Sequence, residues 1–295
     1  MAVGKIIKSL SGFYYIEDHD VIYQCRGRGN FRKRKLTPLV GDWVEYESTN
    51  TTDGMVLAIH ERRNALVRPP IANVDQALVT FAAKEPDFDT GLLDRFLVHI
   101  EAHGISPLIC ITKMDKVEAS LNDKASINDY AGLYREIGYT VFLISGNEEQ
   151  GLEEIVGYLD GKTTVLAGQS GVGKSSLLNR LRPELEIETG EISKALSRGK
   201  HTTRHVELLK VGGGFVADTP GFSSLDFQIL DGDDLSRCFP EFQEVSHECK
   251  FRGCSHLNEP DCAVRARVES GDIAAHRYQH YKQFYQEISN RKKRY

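Results

Sequence analysis

Short apolar runs alternate with polar turns over the first 67 residues. The segments "GFYYIE", "VIYQCR", "DWVEYES" and "GMVLAIHE" are rich in aromatic and β-branched residues, and Gly, Asp and Asn stand between them. About five strands of this kind in so short a stretch predict a small β-barrel of the oligonucleotide-binding (OB) or a similar type. We therefore place a first domain at residues 1–67.

The pattern changes after the double proline of "VRPPIANVD", which we interpret as a linker. Apolar runs typical of buried strands now alternate with helical patterns that end in glycine, such as "TGLLDRFLVHIEAHG" and "INDYAGLYREIG". The predicted strands are "VDQALVTFAA", "ISPLICIT", "YTVFLIS", "KTTVLAG", "HVELLKV" and "GGFVADT". This alternation predicts a parallel sheet with helices on both faces, an α/β domain at residues 68–225. Residues 226–295 have helical patterns and bear cysteines, which indicates a third domain.

The composition is that of a globular protein, with 40% hydrophobic and 27% charged residues. No apolar run approaches the length of a membrane span, and the first residues have the pattern of a strand rather than of a signal peptide. We expect a cytoplasmic, monomeric protein without a membrane partner. Disulfides are rare in that compartment.

A phosphate-binding loop is predicted by "GQSGVGKS", which follows an apolar strand and precedes a helical pattern. Its glycines let successive backbone N–H groups point at phosphate oxygens, and the helix N-terminus adds positive potential. We expect Lys174 to reach the β- and γ-phosphates and Ser175 to hold Mg²⁺. The alternative, a glycine-rich turn without a ligand, is disfavoured by the complete motif in this setting. The predicted phosphate-site residues are Gly168, Gln169, Ser170, Gly171, Val172, Gly173, Lys174, Ser175 and Ser176.

A base-reading site is predicted by "TKMD", residues Thr112 to Asp115. The Asp115 carboxylate can accept from guanine N1–H and the 2-amino group together, whereas adenine would leave it unpaired. The stem of Lys113 can lie across the base while its ammonium group contacts the phosphate loop. Ser145 and Gly146 end the next strand in "ISG", where a backbone N–H can reach guanine O6. Four residues alone match often by chance, but both segments follow strands, where ligands bind in open α/β sheets.

Two further segments complete the predicted phosphate site. In "DTPG", Asp218 is expected to hold Mg²⁺ through water, and the Gly221 N–H to contact the γ-phosphate, although these residue types also favour plain turns. In "HTTR", Thr202 or Thr203 is expected to close on Mg²⁺ and the γ-phosphate, and we assign Thr203. A polar loop without a ligand is the alternative for that segment.

A metal site is predicted by "CKFRGCSHLNEPDC", which holds Cys249, Cys254, His256 and Cys262. Four soft donors within a short cytosolic segment favour a structural, tetrahedral zinc site, although the spacing lacks the common C-x₂-C pair. Reduced surface cysteines are the alternative. Four protein ligands leave no open position, so we expect no catalysis there. The remaining cysteines are expected to pack as small apolar side chains: Cys25, Cys110 and Cys238.

The charge is unevenly distributed in a chain whose net charge is −5. The segment "RGRGNFRKRK" has six cations and no acid, and "NRKKRY" follows a similar pattern. A basic loop between barrel strands can track a phosphate backbone while an aromatic ring stacks on a base, and a solvated charged loop is the alternative. The predicted RNA-binding residues are Arg26, Arg28, Phe31, Arg32, Lys33, Arg34 and Lys35.

The order "TKMD", "ISG", "GQSGVGKSS", "HTTR", "DTPGF" resembles the circularly permuted ribosome small-subunit-dependent GTPase family (RsgA/YjeQ type). The resemblance covers essentially the whole chain, with Thr112 where Asn is commoner and Gly146 where Ala is usual. It implies a multi-domain protein with an N-terminal OB-like barrel, a permuted P-loop GTPase domain and a C-terminal helical zinc-binding domain. It also implies GTP hydrolysis with Mg²⁺, one Zn²⁺ at the four Cys and His positions, and action on the small ribosomal subunit and its rRNA during late maturation.

The permutation has a mechanical consequence, because the segment after "DTPG" runs into the third domain. A γ-phosphate contact at Gly221 would then pull on that domain, a switch of the order–disorder type. Phe222 follows Gly221, where many GTPases carry a water-positioning Gln. We therefore expect slow hydrolysis alone and acceleration by a partner. His201 is our candidate for positioning the water, and a solvated loop residue is the alternative.

Two functions remain open at this point. The first is a GTP hydrolase that binds the small ribosomal subunit and assists or checks its maturation, with hydrolysis stimulated by the subunit. The second is an rRNA-binding checkpoint in which GTP only sets affinity. A P-loop ATPase or kinase is disfavoured by "TKMD" and "ISG".

Overall fold

The computed structural model describes residues 1–29, 31, 36–67, 69–117, 121–146, 151–183, 206–218, 227 and 230–292. The chain divides into two compact units. The first consists of Met1–Thr80 with Asn147–Ser223, and the second of Phe81–Gly146 with Ser224–Tyr295. Each unit combines segments that are distant in the sequence, so the domain bounds given above stay a prediction.

The first unit begins with the predicted barrel. Its strands close in the order β1-β2-β3-β5-β4, with bounds β1 Ala2–Leu10, β2 Phe13–Asp18, β3 Val21–Gly27, β4 Trp43–Ser48 and β5 Gly54–Ile59. All pairs are antiparallel except β3 with β5. Alternation along each strand buries one set of side chains, which includes Ile6, Ile16, Cys25, Val44 and Val56. A Cβ at Gly54 would lie 2.4 Å from the Cys25 sulfur, so this strand needs glycine there.

A short antiparallel pair follows the barrel in the segment interpreted as a linker. It consists of β6 Ala65–Leu66 and β7 Ile71–Ala72. Beside it, the fully buried Asp42 carboxylate accepts from Arg62 Nε at 2.7 Å and Nη2 at 2.8 Å. The backbone N–H of Ala72 in β7 also donates to the Val40 carbonyl oxygen at 2.8 Å. The linker is therefore more regular than its two prolines predict.

The α/β sheet is confirmed. Its order is β10-β9-β8-β11-β13-β12, with bounds β8 Gln76–Ala82, β9 Ser106–Thr112, β10 Thr140–Leu143, β11 Thr163–Ala167, β12 Leu208–Val211 and β13 Gly214–Asp218. β9 and β10, β8 and β11, and β11 and β13 pair in parallel, whereas β12 is antiparallel to β13. Every residue of β8 and β11 is buried, as expected of strands covered on both faces. β8 begins in the first unit and ends in the second.

Within the described ranges, four α-helices connect these strands: α1 Thr90–Glu101, α2 Leu121–Glu136, α3 Leu152–Leu159 and α4 Lys174–Leu181. Asp89 caps α1, since its side chain accepts from the backbone N–H groups of Gly91 and Leu92 at 2.9 and 3.0 Å. Gly104 and Gly138 have φ values of 65° and 108° just beyond α1 and α2. The two glycine-terminated helices predicted from the sequence are thus confirmed.

The C-terminal part of the second unit is helical, as predicted. It contains α5 Gly232–Leu235, α6 Pro240–Ser246, α7 Ala263–Ser270 and α8 Ala275–Lys292. Phe239 stacks on Phe242 with ring centroids 4.9 Å apart, and Tyr281 meets the Phe239 ring edge-on at 5.4 Å. Val98 of α1 belongs to the same buried cluster, so this segment shares a core with the α/β part of its unit. Over the described ranges, we find no helix with the length and apolarity needed to cross a membrane.

Candidate functional site

The phosphate-loop motif forms a strand-to-helix turn between β11 and α4. Gly168, Gly171 and Gly173 have φ values of 130°, 81° and 97°, the left-handed region that favours glycine. A Cβ at Gly168 would lie 2.1 Å from the Thr80 carbonyl oxygen, so no side chain fits there. Val172 is fully buried, while Gln169, Ser170 and Ser176 are exposed. The loop is therefore packed against β8 at Gly168, while the polar side chains of Gln169 and Ser170 are exposed.

The predicted phosphate-contacting lysine lies inside this turn. Lys174 is the first residue of α4, and its ammonium group donates to the carbonyl oxygens of Gly168 at 2.9 Å and Gln169 at 2.5 Å. Ser175 is half-buried beside it. A cation and the N-terminal backbone N–H groups of a helix make a favourable environment for an anion.

Asp218, the first residue of "DTPG", ends a strand that pairs with the strand leading into this turn. β13 pairs with β11 in parallel, and Asp218 stands opposite Leu166, two positions before Gly168. Strand β13 and the phosphate loop thus meet at one edge of the sheet, where ligands of open α/β folds bind.

The two predicted base-reading segments are brought together in the second unit. β9 and β10 are parallel, and Asp115 and Gly146 follow their carboxyl ends. The Asp115 Oδ1 atom accepts a hydrogen bond from the Gly146 backbone N–H at 2.7 Å. A Cβ at residue 146 would be 3.2 Å from that oxygen, a tight contact that glycine avoids. The carboxylate is thereby fixed in position.

Thr112 has a structural contact that explains its presence in place of Asn. It is buried, and its hydroxyl donates to the Phe81 carbonyl oxygen at 3.1 Å. The Thr112 carbonyl oxygen in turn accepts from the Ala83 N–H at 2.8 Å. These two bonds tie the end of β9 to the end of β8, so the start of "TKMD" is held by its own sheet.

The backbone turns sharply at Lys113, where φ is 57°. Its ammonium group donates to the Glu85 carbonyl oxygen, and Lys116 forms an ion pair with the Glu85 carboxylate. Partial burial and the neighbouring Lys116 lower the pKa of Lys113. Glu85 was not identified from the sequence. Its position directly after β8, at a carboxyl end of the sheet, is the signal that points to it.

Several predicted residues lie outside the described residues, so the structure says nothing of them: His201, Thr202, Thr203, Gly221, Arg32, Lys33, Arg34 and Lys35. Of the other predicted RNA-binding residues, Arg26 lies over the Phe13 ring, 5.0 Å from its centroid. Arg28 is exposed and Phe31 is half-buried. Ser145 is buried at the end of β10.

The four predicted metal ligands converge. The donor atoms of Cys249, Cys254, His256 and Cys262 all lie within 4.8 Å of one another. The His256 Nδ1 atom is 3.6 Å from the Cys249 sulfur and 3.4 Å from the Cys262 sulfur. Metal–sulfur and metal–nitrogen bonds of about 2.3 and 2.0 Å at tetrahedral angles require a separation of about 3.5 Å. Three Cys and one His in this arrangement therefore fit a metal ion.

Surrounding residues hold the loop that carries these four side chains. The Glu259 carboxylate accepts from the Ser255 N–H at 2.8 Å, the Ser255 hydroxyl at 2.6 Å and two further backbone N–H groups at 3.1 Å. Burial opposes ionisation of Glu259, but these hydrogen bonds outweigh it and lower its pKa to about 2. The hydroxyls of Tyr278 and Tyr281 donate to the carbonyl oxygens of His256 and Ser255 at 2.7 and 2.6 Å. Sequence spacing did not identify these supporting groups, which orient the ligands.

A buried ion network in the second unit was also missed. Arg277 of α8 and Asp94 of α1 are fully buried, and their Nη1 and Oδ1 atoms are 2.6 Å apart. Arg277 also donates to both Glu241 oxygens at 2.8 and 3.0 Å. The Tyr134 hydroxyl donates to the Oδ1 atom of Asp94 at 2.6 Å, and the His280 Nδ1 atom lies 2.6 Å from its Oδ2 atom. Burial opposes ionisation of Asp94, yet the Arg277 charge and the hydrogen bonds prevail and lower its pKa. Single charges in a helical pattern gave no sign of this pairing.

Comparison with known proteins now identifies the family. A family model described as "RsgA GTPase" matches residues 59–228, and one described as "RsgA N-terminal domain" matches residues 3–56. The chain belongs to the RsgA GTPase family. The resemblance inferred from the motif order is thereby confirmed, and the family makes this protein a GTPase.

Individual members agree over the full length. The chain is 59% identical over 295 residues to "Small ribosomal subunit biogenesis GTPase RsgA" of Bacillus cereus, with 100% of both chains covered. It is 56% identical over 299 residues to the protein of that name from Bacillus subtilis, again with 100% of both covered. Among solved structures, YloQ, described as a circularly permuted GTPase, has 52% identity and a TM-score of 0.87, covering 100% of this chain and 97% of the other. YjeQ from Thermotoga maritima has 35% identity and a TM-score of 0.86, with coverages of 97% and 98%.

Proposed function

We propose that this protein hydrolyses GTP while bound to the small ribosomal subunit, assists or checks late maturation of that subunit, and is stimulated by it. The observation that carries the proposal is the contact between Asp115 and Gly146, 2.7 Å apart. It joins the two base-reading segments in the motif order of the permuted family. The names of the full-length relatives supply the ribosomal partner.

Guanine specificity is assigned to the second unit. Asp115 accepts from the base N1–H and 2-amino groups, with Thr112 and Lys113 as neighbours and Ser145 and Gly146 along the base edge. The bond from the Gly146 N–H keeps the carboxylate oriented. An adenine base would leave that carboxylate without donors, which costs free energy. This is the basis on which we assign GTP rather than ATP.

Phosphate binding is assigned to the loop of the first unit. Its backbone N–H groups and the Lys174 ammonium compensate the phosphate charge, and this compensation matters most as charge develops in the transition state. Ser175, Thr203 and Asp218 would hold Mg²⁺, which when bound neutralises charge on the β- and γ-phosphate oxygens. Gly221 and His201 are proposed for the γ-phosphate contact and for positioning the attacking water, on the motif order alone.

The four metal ligands are proposed to hold one Zn²⁺. The donor set of three Cys and one His favours zinc over harder cations, and its four ligands leave no position for substrate. Burial raises the pKa of the Cys254 thiol to about 12, so a cation is needed to keep it as a thiolate. We assign this centre a structural role.

The remaining assignments concern architecture and partners. We propose an OB-like RNA-binding domain at residues 1–67, a permuted GTPase domain at 68–225 and a zinc-binding helical domain at 226–295. Arg26, Arg28 and Phe31, with the basic residues that follow, are proposed to contact rRNA. A monomer that works in the cytoplasm suits this partner.

The decisive experiment compares GTP and ATP turnover with and without purified small ribosomal subunits. We expect slow GTP hydrolysis alone, an increase by an order of magnitude or more with subunits, and no ATP turnover in either case. A hydrolysis-deficient variant that binds GTP and still supports subunit maturation would instead favour the checkpoint in which GTP only sets affinity. Equal turnover with and without subunits contradicts stimulation.

A further inference from the structure

A buried lysine connects the barrel to the strand that leads into the phosphate loop. Lys5 lies on β1 and is only 7% exposed. Its ammonium group donates to the Thr163 hydroxyl at 2.6 Å. Thr163 is fully buried and begins β11, five positions before Gly168. Both residues belong to the first compact unit, so this contact lies within one body.

The surroundings of Lys5 fix its position further. Its ammonium nitrogen is 5.1 Å from the Trp43 ring centroid and 5.4 Å from that of Phe215, distances at which aromatic faces attract a cation. The Asp75 carboxylate lies nearby and accepts from the Thr163 backbone N–H at 2.8 Å. Thr163 is thus held twice, by Lys5 at its side chain and by Asp75 at its backbone.

Attachment of the barrel does not by itself require a buried charge. Lys8 of the same strand pairs with Glu207 at 2.9 Å, and Lys210 pairs with Asp20, and all four side chains are partly or largely exposed. Such pairs form at little desolvation cost. A buried lysine is costly, since burial lowers its pKa and disfavours the charge, and an apolar side chain of equal length would fill the space. The cost indicates that a defined hydrogen bond is needed at Thr163.

We propose that Lys5 is a positioning residue that ties β11, and through it the phosphate loop, to the barrel, so that subunit binding at the barrel reaches the hydrolytic site. The inference rests on the proposed stimulation by the small subunit. The element with two states is the bond between Lys5 and Thr163, made or broken. Strand β11 transmits its position because it pairs with β8 and β13 on both sides. The coupling is inferred from this direct contact between β1 and β11.

The test compares Lys5→Met with Lys162→Met in the full-length protein. Methionine keeps the length and volume of Lys5 but cannot bond to Thr163. Lys162 is the matched control, because it is exposed, adjoins Thr163 and has no side-chain partner among the described residues. We expect unchanged turnover of both variants without subunits. With subunits, the stimulation of Lys5→Met falls about tenfold, within the roughly 5- to 150-fold range of typical couplings, and that of Lys162→Met stays as in the wild type.

A second variant and a second measurement keep the test decisive. Thr163→Val removes only the accepting oxygen, so it should lose stimulation to the same extent, and the double variant should lose no more than either single one. Hydrogen exchange at residues 168–175 should respond to subunits in the wild type and not in Lys5→Met. If Lys5→Met does not fold, Thr163→Val gives the answer by the same two readouts.

Three outcomes would overturn the inference. Wild-type stimulation in Lys5→Met or Thr163→Val means that the bond carries no coupling. An equal fall of basal and stimulated turnover means that Lys5 only supports the fold. Absence of stimulation in the wild-type protein removes the basis of both the inference and the proposed function, and it is seen before any variant is measured.

Discussion

The Asp115 carboxylate and its donor at Gly146 illustrate how single residues shape the proposed base site. The Asp115 Oδ1 atom and the Gly146 backbone nitrogen are 2.7 Å apart. Glycine leaves space for this contact, since a Cβ at position 146 would lie 3.2 Å from the same oxygen. Thr112 binds the carbonyl oxygen of Phe81 at the same strand ends. Both departures from commoner GTPase residues therefore have a local physical reason, and the proposed base site needs no asparagine to fix its first residue.

Removal of the base-reading carboxylate gives the first prediction. Asp115→Ala should weaken GTP binding by about 3 kcal/mol, roughly a hundredfold in Kd, because two hydrogen bonds to a charged acceptor are lost. Titration with a fluorescent GTP analogue measures the change. Asp129→Ala is the control, since Asp129 is an exposed acid on α2 in the same unit. Equal affinities of the two variants would show that Asp115 does not read the base.

Helices α1 and α8 illustrate how two elements that are distant in the sequence are held together by ion pairs. They are joined by the buried contact between Asp94 and Arg277 and by an exposed one between Arg95 and Glu287, 2.5 Å apart. The sequence predicted both helices, α1 from its helical pattern ending in Gly104 and α8 from the helical pattern of the C-terminal residues. It could not predict the buried network, because Arg277 and Asp94 are 183 positions apart and each is typical of a solvated helix face. The same holds for Lys5 and Thr163, 158 positions apart, whose pairing depends on tertiary packing. Motifs whose residues are close in sequence, such as the phosphate loop and the metal ligands, could be located from the sequence alone.

The buried network gives the second prediction. Arg277→Met should lower the free energy of unfolding by about 3–5 kcal/mol, because it leaves the buried Asp94 and the partly buried Glu241 without their cation. Arg95→Met, which breaks the exposed pair between the same helices, should cost only about 1 kcal/mol. Urea unfolding followed by circular dichroism compares them. Similar losses would mean that burial of the ion network adds nothing.

The same network gives the third prediction, on pH. The pKa of Asp94 is lowered in the folded protein, so its stabilising contribution is complete above the unfolded pKa of about 3.9 and is lost as pH falls through the folded value. Wild-type stability should therefore decrease on acidification below about pH 4. Arg277→Met should weaken or reverse this dependence, because it removes the charge that does most to lower the pKa of Asp94, while burial still raises that pKa. Unfolding free energies at a series of pH values test it, and parallel curves for the two proteins would contradict it.

At the scale of the whole molecule, each compact unit holds a different part of the proposed machinery. The first contains the barrel and the phosphate loop, and the second contains the base-reading segments and the Cys₃His cluster. Cys262 belongs to the same buried cluster as Val98 of α1, and the partly buried Cys249 and Cys254 pack against it. The metal-binding segment and the α/β part of the second unit therefore stabilise each other, so loss of the metal should be felt beyond its ligands.

This shared core gives the fourth prediction. Cys254→Ser should lose bound zinc, lower the midpoint of thermal unfolding by ~5–10 °C and speed hydrogen exchange in α1 as well as around the cluster. Elemental analysis gives the zinc content. Cys238→Ser is the matched control, a buried cysteine of the same hydrophobic cluster that is not one of the four proposed ligands and should keep one zinc per chain. Full zinc content in Cys254→Ser, or exchange in α1 unchanged from the wild type, would contradict the prediction.

The pairing of β8 with β11 bears on how the protein is made. Gln76 pairs with Thr164, 88 positions later, whereas the barrel strands are close neighbours in the chain. As the polypeptide leaves the translating ribosome, the barrel can form early, since its contacts are local. β8, buried along its whole length in the finished fold, has β9 as one neighbour soon after it in the chain, but its other edge must wait for β11. The permuted order thus leaves one edge of an apolar strand unpaired in the nascent chain until residues 163–167 have been synthesised.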